Sequence, residues 1–547
     1  MAETLLSPGI ITRENDQSQI TQGPITAGAA IVGPTVMGPV GIPTLVTSYS
    51  DYLNKFGGSF ISGGTSNEYL TSISTYNYFQ QGGTTLLVTR AVSGTFAPAS
   101  SSIAASGSVV AFTLETLSSG IIMNNSGSEI SGALASGSSS NVRWEIVNPN
   151  TGSGTFSLLI RRGDDNANSK VVLESWSNLS LDPNSPNFIS AVIGNQSITT
   201  TNGYIQATGD YTNKSKYVRV KTVALTTPNY FDNIGNPIPS YTSSIPLAAS
   251  SSFGGALGIN CAINGLSNSD YTSSISLLNN VDEFKFNIIT TPGVTATTGN
   301  AVITSLTNLA SNRGDCIAIV DMSAFGDNIA TVISNATSVD SSYAAAYYPW
   351  VQISAPNTGK LTWVPPSTII PSVFAYNDRI SAPWFAPAGF TRGSLSVIQA
   401  ERKLAPTDRD TLYSGKINSI ATFPGQGVVA YGQKTLQKKA SALDRINVRR
   451  LLIELKGYIG QVANNLVFEQ NTIATRNRFL RQVNPYLESI QQRQGLYAYK
   501  VVMDESNNTA DVIDRNQLLG QIFIQPTRTA EFVILDFNVT PTSTTFS

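Results

Sequence analysis

The side chains that usually carry acid–base and nucleophilic chemistry near neutral pH are scarce in this sequence. Its 547 residues include no histidine and only two cysteines, Cys261 and Cys316. Without histidine, Ser-His-Asp and Cys-His nucleophiles and histidine metal sites are excluded. A structural zinc site would then need four cysteine thiolates. We therefore predict no catalytic residue, no metal site and no cofactor, and we interpret both cysteines as buried small hydrophobes rather than a reactive or bonded pair.

Two glycine-containing motifs resemble enzyme signatures, and each has a simpler interpretation. Residues 425–430 (GQGVVA) match a dinucleotide fingerprint, but residues 428–431 read as a strand where the fingerprint needs a helix N-terminus to hold pyrophosphate. Gly64-Thr-Ser66 resembles the nucleophile turn of serine-carboxyl peptidases, which work without histidine. In a chain so rich in serine and glycine, a three-residue match is expected by chance. The GxxxxGK[ST] loop of P-loop NTPases is missing from the sequence.

Composition and charge narrow the class of protein further. Charged residues make up 13% of the chain, about half of the roughly 25% usual in globular domains. The net charge is −1, so we expect no nucleic-acid partner. Residues 401–547 hold 18 Lys and Arg against 13 Asp and Glu, and this mildly basic part suggests a partner surface. No signal peptide or apolar run of roughly 18 residues is present, so we expect no direct membrane insertion and synthesis in the cytosol.

The N-terminal quarter divides into an arm and the beginning of a core. Residues 1–20 look extended and carry the apolar side chains Leu5, Leu6, Ile10 and Ile11 with too little around them to be buried. Such an arm is either disordered or pairs with another sheet edge. Residues 21–95 alternate Gly/Pro turns with short apolar runs, and a helix is predicted over 68–81.

The middle of the chain contains two regions with different residue patterns. In residues 96–250, serine-rich tracts separate segments in which apolar and polar residues alternate with a period of two. This pattern indicates an inserted antiparallel β domain. Residues 251–400 predict a strand at 284–290, a helix near 298–312 and a strand at 316–320. This βαβ order favours a sheet that is at least partly parallel.

Two helices and three strands are predicted in the C-terminal part, residues 401–547. Ser441 and Asp444 resemble a capping box before a helix whose apolar stripe runs from Val448 to Leu466. Gly457 and Gly460 lie opposite that stripe, where either the helix frays or another backbone comes close. A second helix at 472–494 contains Pro485, which should kink or break it.

Strands are predicted at 496–503, 519–525 and 530–539. The last of them is unusually apolar, with Phe532, Ile534, Leu535 and Phe537, and its edge needs a pairing partner.

Short segments spread along the chain resemble one family when taken in order. They are Ser7–Glu14, Ala30–Gly33, Gly38-Pro39, Tyr52–Gly58, Phe79–Gly83, Val88–Arg90, Tyr348–Trp350, Val364–Ser367, Asp378, Pro387–Gly389, Ile417-Asn418, Gly425–Gly427, Ile446–Leu451, Phe468-Glu469 and Asn507–Thr509. In this order they resemble the tail sheath family of contractile phages, pyocins and related injection machines. The sequence departs from the family pattern at 375–377, where an arginine is common, and at Pro485.

The resemblance implies an α+β multidomain fold. We expect an N-terminal arm at 1–20, the first part of the core at 21–95, an outward-facing inserted β domain at 96–250, and a subtilisin-like α/β domain without catalytic residues at 251–400. An α/β C-terminal sheath domain at 401–530 would face the tail tube, and 531–547 would form a C-terminal strand or arm.

The resemblance also implies function and partners. The chain would form a homo-oligomer, a six-start helical sheath of stacked hexameric rings, with the tail tube protein, baseplate and tail terminator proteins as partners. Contraction would drive the tube through the host envelope for genome ejection. The sheath would belong to the virion and be assembled in the host cytoplasm.

Two groups of residues are predicted to act in the sheath. The arm residues Leu5, Leu6, Ile10, Ile11, Phe532, Ile534, Leu535 and Phe537 would pair with neighbouring subunits. The basic residues Lys438, Lys439, Arg445, Arg478 and Arg481 would face an acidic tube, or else form a solvated helix face. The alternatives are a pyocin-like injection sheath, a surface-layer protein or adhesin, and a degenerate hydrolase.

Overall fold

The structure is a computed structural model of the chain, and it describes residues 25–62, 64–123, 129–130, 132–201, 204–258 and 266–531. All eight predicted arm residues lie outside this range, namely Leu5, Leu6, Ile10, Ile11, Phe532, Ile534, Leu535 and Phe537. Cys261 also lies outside it.

The N-terminal part contributes six strands and two helices. They are β1 Ile25–Ala27, β2 Ala29–Gly33, β3 Thr44–Val46, α1 Tyr49–Phe56, β4 Ser59–Ser62, β5 Thr65–Glu68, α2 Leu70–Gln80 and β6 Leu86–Arg90. The helix predicted over 68–81 is confirmed as α2. Helix α1 begins where the Ser48 hydroxyl accepts a hydrogen bond from the backbone N–H of Asp51, which satisfies one of the first-turn donors.

Residues 98–256 form a separate antiparallel β unit with its own core. Its elements are β7 Pro98–Ala104, β8 Val110–Ser119, β9 Glu129–Ile130, β10 Ala133–Leu134, β11 Val142–Asn150, β12 Thr155–Arg162, β13 Val172–Ser180, α3 Ile189–Ile193, β14 Ser197–Thr201, β15 Tyr204–Thr208, β16 Val218–Val223, α4 Pro239–Thr242 and β17 Ala249–Ser252. The two larger sheets have the orders β16-β8-β7 and β13-β12-β11-β17. The predicted alternation is confirmed, because Trp144, Phe156 and Ile160 are buried in one shared core.

The central part alternates strands and helices. Its elements are α5 Asn268–Ser276, β18 Phe284–Phe286, β19 Ile288–Thr295, α6 Ala296–Arg313, β20 Ile317–Asp321, α7 Ile329–Ala336, β21 Ala344–Tyr348, β22 Val351–Ser354, β23 Leu361–Val364, α8 Pro366–Ile380, α9 Gly389–Arg392, β24 Gln399–Ala400, α10 Pro406–Ser414, β25 Asn418–Phe423 and β26 Gly427–Tyr431. The predicted strand-helix-strand order is confirmed as β19-α6-β20, with the two strands parallel, but the strand predicted over 284–290 is divided into β18 and the beginning of β19.

One eight-stranded sheet joins the N-terminal and central parts in the order β26-β25-β21-β20-β19-β2-β6-β3. The six inner strands are parallel, and β26 and β3 are antiparallel edge strands. Successive residues of β20 pack into the two cores on opposite faces of the sheet. Ile317 and Ile319 belong to one core, and Ala318 and Val320 belong to the other. Strands β25 and β26, within residues 418–431, belong to this sheet, although we expected residues from 401 onward to form the C-terminal domain.

The C-terminal part is a helix pair that carries a small sheet. Its elements are α11 Ile446–Asn464, α12 Ile473–Gln492, β27 Leu496–Val502, α13 Ala510–Asp514 and β28 Gln521–Pro526. The apolar stripe of α11 is confirmed, since Val448 is buried and its other members are buried or half-buried against α12 and the sheet.

Two expectations about these two helices were wrong, and one alternative of a third was wrong. Ser441 caps a short 3₁₀ turn at Ala442–Asp444, and α11 begins only at Ile446 after Arg445. The helix does not fray at Gly457 or Gly460. Apart from the backbone of α11 itself, no atom of the described chain comes within 4 Å of a Cβ at either position, so close approach of another chain's backbone stays a prediction. Helix α12 also continues through Pro485, because the tertiary packing of its apolar face outweighs the loss of one backbone hydrogen bond.

Candidate functional site

The C-terminal sheet is a pair of antiparallel strands, β27 and β28, packed on α12. Its inner side chains, which include Tyr499, Val501 and Ile522, are half-buried against the helix-pair core. Within the described residues, neither strand has a second partner. Each strand therefore has one free edge, and an unpaired edge is a template for another extended segment. A two-stranded sheet is only marginally stable by itself, so the site gains from added strands.

Large apolar side chains are exposed at two places around this sheet. On its outer face, Tyr497 is 62% exposed and Phe523 is 56% exposed. In the loop between α11 and α12, Phe468 is fully exposed and Val467 is mostly so, as is Ile473 at the start of α12. Clustered apolar exposure of this kind is unusual on a monomer surface and marks contact surfaces. The C-terminal part therefore has the character of an interface.

The described chain begins and ends beside the central part. Strand β1 at Ile25–Ala27 pairs in parallel with β18, and the last described residue is Glu531, which belongs to no strand. The predicted arms precede and follow these two points. Their pairing with neighbouring subunits stays a prediction, because the arm residues lie outside the described range.

Arg445, which was predicted to face a tube, is engaged within the chain. Its guanidinium donates hydrogen bonds of 2.6 and 3.0 Å to the two carboxylate oxygens of Glu531 and forms an ion pair with Asp444 at 2.8 Å. Burial lowers the pKa of Arg445, but the hydrogen bonds and charge of Glu531 outweigh burial and the pKa is raised. Arg445 is therefore not a free surface cation, and we remove it from the tube-facing set.

The other four basic candidates are exposed. Lys438 and Lys439 follow each other in the loop before α11, and the backbone N–H of Lys438 donates to Asp340. Arg478 and Arg481 lie on the outer side of α12, opposite its buried stripe. Arg478 makes a 3.1 Å ion pair with Glu469 in which both side chains are nearly half exposed, so this pair contributes little. The four residues therefore form two separate basic patches, one of Lys438 and Lys439 and one of Arg478 and Arg481.

A buried Asp–Ser pair lies at the carboxyl end of the parallel sheet, where α/β enzymes have their active sites. Asp321 ends β20, and its carboxylate accepts hydrogen bonds from the backbone N–H of Ser367 at 2.9 Å and the Ser367 hydroxyl at 2.5 Å. Burial raises the pKa of Asp321 to about 7, although both bonds from Ser367 lower it. Both residues are 1% exposed, and the chain has no histidine to complete a triad. The pair ties the start of α8 to the sheet.

The two motifs that resemble enzyme signatures are β-hairpin turns. Residues 425–430 span the end of the turn between β25 and β26 and the first four residues of β26. Gly425 and Gly427 have φ of 73° and 74° there, a conformation that favours glycine. Gly64-Thr-Ser66 lies in the hairpin of β4 and β5, where Ser66 pairs with Ile61. The free Cys316 is buried, and burial raises the pKa of its thiol.

The residues that the structure describes contain no cluster of three or more acidic or cysteine side chains able to hold a metal ion. None of their helices is long and apolar enough to cross a membrane.

Sequence reasoning missed the hydrogen-bonded carboxylate of Glu531 and the Asp321–Ser367 pair. For Asp321 a signal existed, since an acidic residue directly after a buried parallel strand lies at the edge that collects polar groups. For Glu531 there was none, because its partners Tyr413 and Gln433 are about a hundred residues away in the chain.

Two family models match this sequence. The phage tail sheath protein central domain matches residues 264–436, and the phage tail sheath C-terminal domain matches residues 438–540. Together the two matches cover half of the chain.

Curated relatives agree with these matches. The tail sheath protein of Vibrio phage KVP40 is 42% identical over 186 residues, which are 34% of this chain and 28% of that protein. The tail sheath protein of Enterobacteria phage T4 is 35% identical over 224 residues, which are 41% of this chain and 33% of that protein. The matches therefore span about a third of the length of these relatives.

Solved structures share the fold over nearly the whole chain. The helical sheath of the anti-feeding prophage in its contracted state has a TM-score of 0.52 at 17% identity, covering 98% of this chain and 99% of that one. The sheath tail protein of Listeria innocua has a TM-score of 0.54 at 12% identity, covering 92% and 96%. Taken with the two family models and the curated relatives, these findings lead to one conclusion: the chain belongs to the phage tail sheath protein family.

Proposed function

We propose that this chain is the structural subunit of a contractile phage tail sheath. It polymerises as a six-start helix of stacked hexameric rings around a tail tube, between a baseplate and a terminator. Contraction drives the tube through the host envelope for genome ejection. The subunit belongs to the virion and is assembled in the host cytoplasm. The observation that carries this proposal is the C-terminal two-stranded sheet, whose two free edges suit strands supplied by other copies.

The arms are the proposed occupants of those edges. Leu5, Leu6, Ile10 and Ile11 of one subunit, and residues 532–539 of another, extend the sheet of β27 and β28 in a neighbour. Each added strand hydrogen bond contributes about 0.5–1.5 kcal/mol, and each buried Leu or Ile contributes about 1.5–3 kcal/mol. Ordering the arm costs about 1–2 kcal/mol per residue. One arm is therefore marginal, whereas many arms in a closed lattice hold it together.

This balance suggests how contraction proceeds. Subunits rotate and slide as rigid bodies while their arms stay paired, so the lattice shears without separating. The energy released is interface energy stored in the extended state. The eight-stranded sheet, with a hydrophobic core on each face, is suited to such rigid-body movement because close-packed cores resist deformation.

Contact with the tube is assigned to Lys438, Lys439, Arg478 and Arg481. Their exposure supports this assignment. Exposed ion pairs contribute only about 0–1 kcal/mol each, which suits a sheath that must release its tube.

The central part is proposed to be a subtilisin-like α/β domain that has no catalysis. The parallel sheet with helices on both faces supports this, and so does the closed Asp321–Ser367 pair. We propose the antiparallel unit within residues 96–250 as the outward-facing inserted domain, and its separate core supports that role.

The test is to purify the full chain and a variant without residues 1–15 and to image both by negative-stain electron microscopy. The full chain should form hollow tubes or stacked discs, alone or with purified tube. The truncated chain should have the same circular dichroism spectrum and fail to polymerise. Normal sheaths from the truncated chain would refute the arm mechanism, and no polymer from the full chain with the tube present would refute the sheath function.

The alternative is the sheath of a phage-derived, pyocin-like injection system, which would share this mechanism. The fold similarity to the anti-feeding prophage sheath over 98% of the chain favours keeping it. Neighbouring capsid and terminase genes would support the phage assignment, and their absence would support the alternative.

A further inference from the structure

The last described residue, Glu531, is held by three side chains from three different elements. Arg445, directly before α11, donates two hydrogen bonds to its carboxylate. The hydroxyl of Tyr413 in α10 donates at 2.8 Å, and the amide of Gln433, which follows β26, donates at 3.0 Å. Only 17% of the Glu531 side chain is exposed. A charged carboxylate with four donors in a largely desolvated place is among the stronger polar arrangements in proteins.

The chain between β28 and Glu531 is tethered along its length. The backbone N–H of Thr527 donates to the carbonyl of Gly495 at 3.1 Å. The side-chain amide of Asn447 in α11 donates to the hydroxyl of Thr529 at 3.2 Å. Residues 527–531 therefore follow a defined path from the small sheet to the junction of α10 and α11.

Residues 527–531 lead from the C-terminal domain to the central domain. Tyr413 and Gln433 lie within the residues matched by the central-domain model, and Arg445 and Glu531 lie within those matched by the C-terminal model. Arg445 also forms an ion pair with Asp444, and Glu531 accepts a hydrogen bond from Tyr413. Through Glu531, these contacts link α10 to the beginning of α11.

We infer that Glu531, Arg445, Tyr413 and Gln433 form an anchor that fixes the origin of the C-terminal arm to the central domain. The inference rests on the proposed function, in which residues 532–547 pair with a second copy of this chain. With the anchor closed, the pull of a neighbouring subunit on the arm reaches the eight-stranded sheet directly. With the anchor open, the same pull would fall on the weakly packed pair β27 and β28.

The anchor also limits how far the arm can reach. The proposed pairing strand, residues 532–539, directly follows Glu531, and at about 3.3 Å per residue its eight residues span at most about 26 Å. The sheet that receives the arm must therefore lie within that distance of Glu531 in every state of the lattice.

The test compares four full-length proteins with the wild type: Glu531→Gln, Arg445→Gln, the double variant, and Asp511→Asn. The last is a matched control, since Asp511 makes an exposed ion pair with Arg515 in the same C-terminal part. Subunit folding is followed by circular dichroism and thermal melting below the polymerisation concentration. Polymerisation is followed by sedimentation, which gives the critical concentration.

We expect each single anchor variant to fold and to raise the critical concentration about tenfold or more, since losing a charge-assisted hydrogen bond is worth at least that factor. The double variant should be no worse than the worse single variant, because both changes remove one arrangement. The control should polymerise like the wild type.

Wild-type critical concentrations in both single variants would overturn the anchor while leaving the sheath function intact. If the wild type itself does not polymerise, even with tube present, the proposed function fails first. If Glu531→Gln does not fold, Tyr413→Phe removes one donor and keeps the ring. Its critical concentration should then rise in the same direction, and an unchanged value would overturn the anchor.

Discussion

Replacing Asp321 by asparagine should stabilise the subunit near neutral pH. The asparagine oxygen can still accept a hydrogen bond from the backbone N–H of Ser367. Its amide can donate to the Ser367 hydroxyl, which then accepts a hydrogen bond instead of donating one. The side chain keeps its two contacts and loses only the charge. A catalytic pair would lose activity with this change, whereas a structural pair should lose no stability.

The expected size follows from the pKa of the buried carboxyl. In the folded state burial raises the pKa of Asp321 to about 7, against about 3.9 in the unfolded chain. Between these values the folded state binds more protons than the unfolded state, so stability falls as the pH rises. At about 1.36 kcal/mol per pH unit, the wild type loses up to about 1.5 kcal/mol by pH 5 and about 4 kcal/mol by pH 8. The advantage of Asp321→Asn should therefore grow by about 2.5 kcal/mol over this range.

Thermal melting of the unassembled subunit at pH 5 and pH 8 measures this effect. Asp321→Asn should melt several degrees above the wild type at pH 8 and only slightly above it at pH 5. Ser367→Ala should lose more stability at pH 8, because the ionised carboxylate then has one donor fewer. A difference between Asp321→Asn and the wild type that is equal at both pH values would refute the assignment of a raised pKa to this site.

Three further outcomes are expected from other parts of the molecule. Reversing the charge at Arg478 and Arg481 should impair docking to purified tube in a co-sedimentation assay and spare tube-free polymerisation; unchanged docking would remove both from the tube-facing set. Asp378→Asn should lower the free energy of unfolding by about 3 kcal/mol, as measured by urea denaturation, because it removes the negative charge that pairs with the buried guanidinium of Arg450 at 2.5 Å; a loss below 1 kcal/mol would contradict that role. Gly460→Ala should stabilise α11 by about 1 kcal/mol since no described atom lies near the new methyl group; a melting temperature that falls would show that the position is not open.

The sequence predicted the elements whose signals are local. The alternation around Trp144 and Phe156, the order of β19-α6-β20 and the stripe of α11 each depend on neighbouring residues, and all three are confirmed. Hydrophobic periodicity is set by which face is buried, and that information is present in a short window.

The errors came from interactions that no short window contains. Pro485 carries a strong local signal for a break, and the packing of the surrounding apolar face overrides it. Arg445 reads as a surface cation by spacing alone, and its partner Glu531 is 86 residues further along the chain. The extension of the large sheet to Tyr431 depends on the pairing of β25 with β21, which local patterns do not specify.

The most direct test of the arm-exchange mechanism is an electron cryo-microscopy reconstruction of sheaths polymerised from this chain. We expect continuous density for added strands on both free edges of β27 and β28, traceable to residues 5–11 and 532–539 of other subunits. A sheath in which that sheet stays two-stranded would rule out arm exchange.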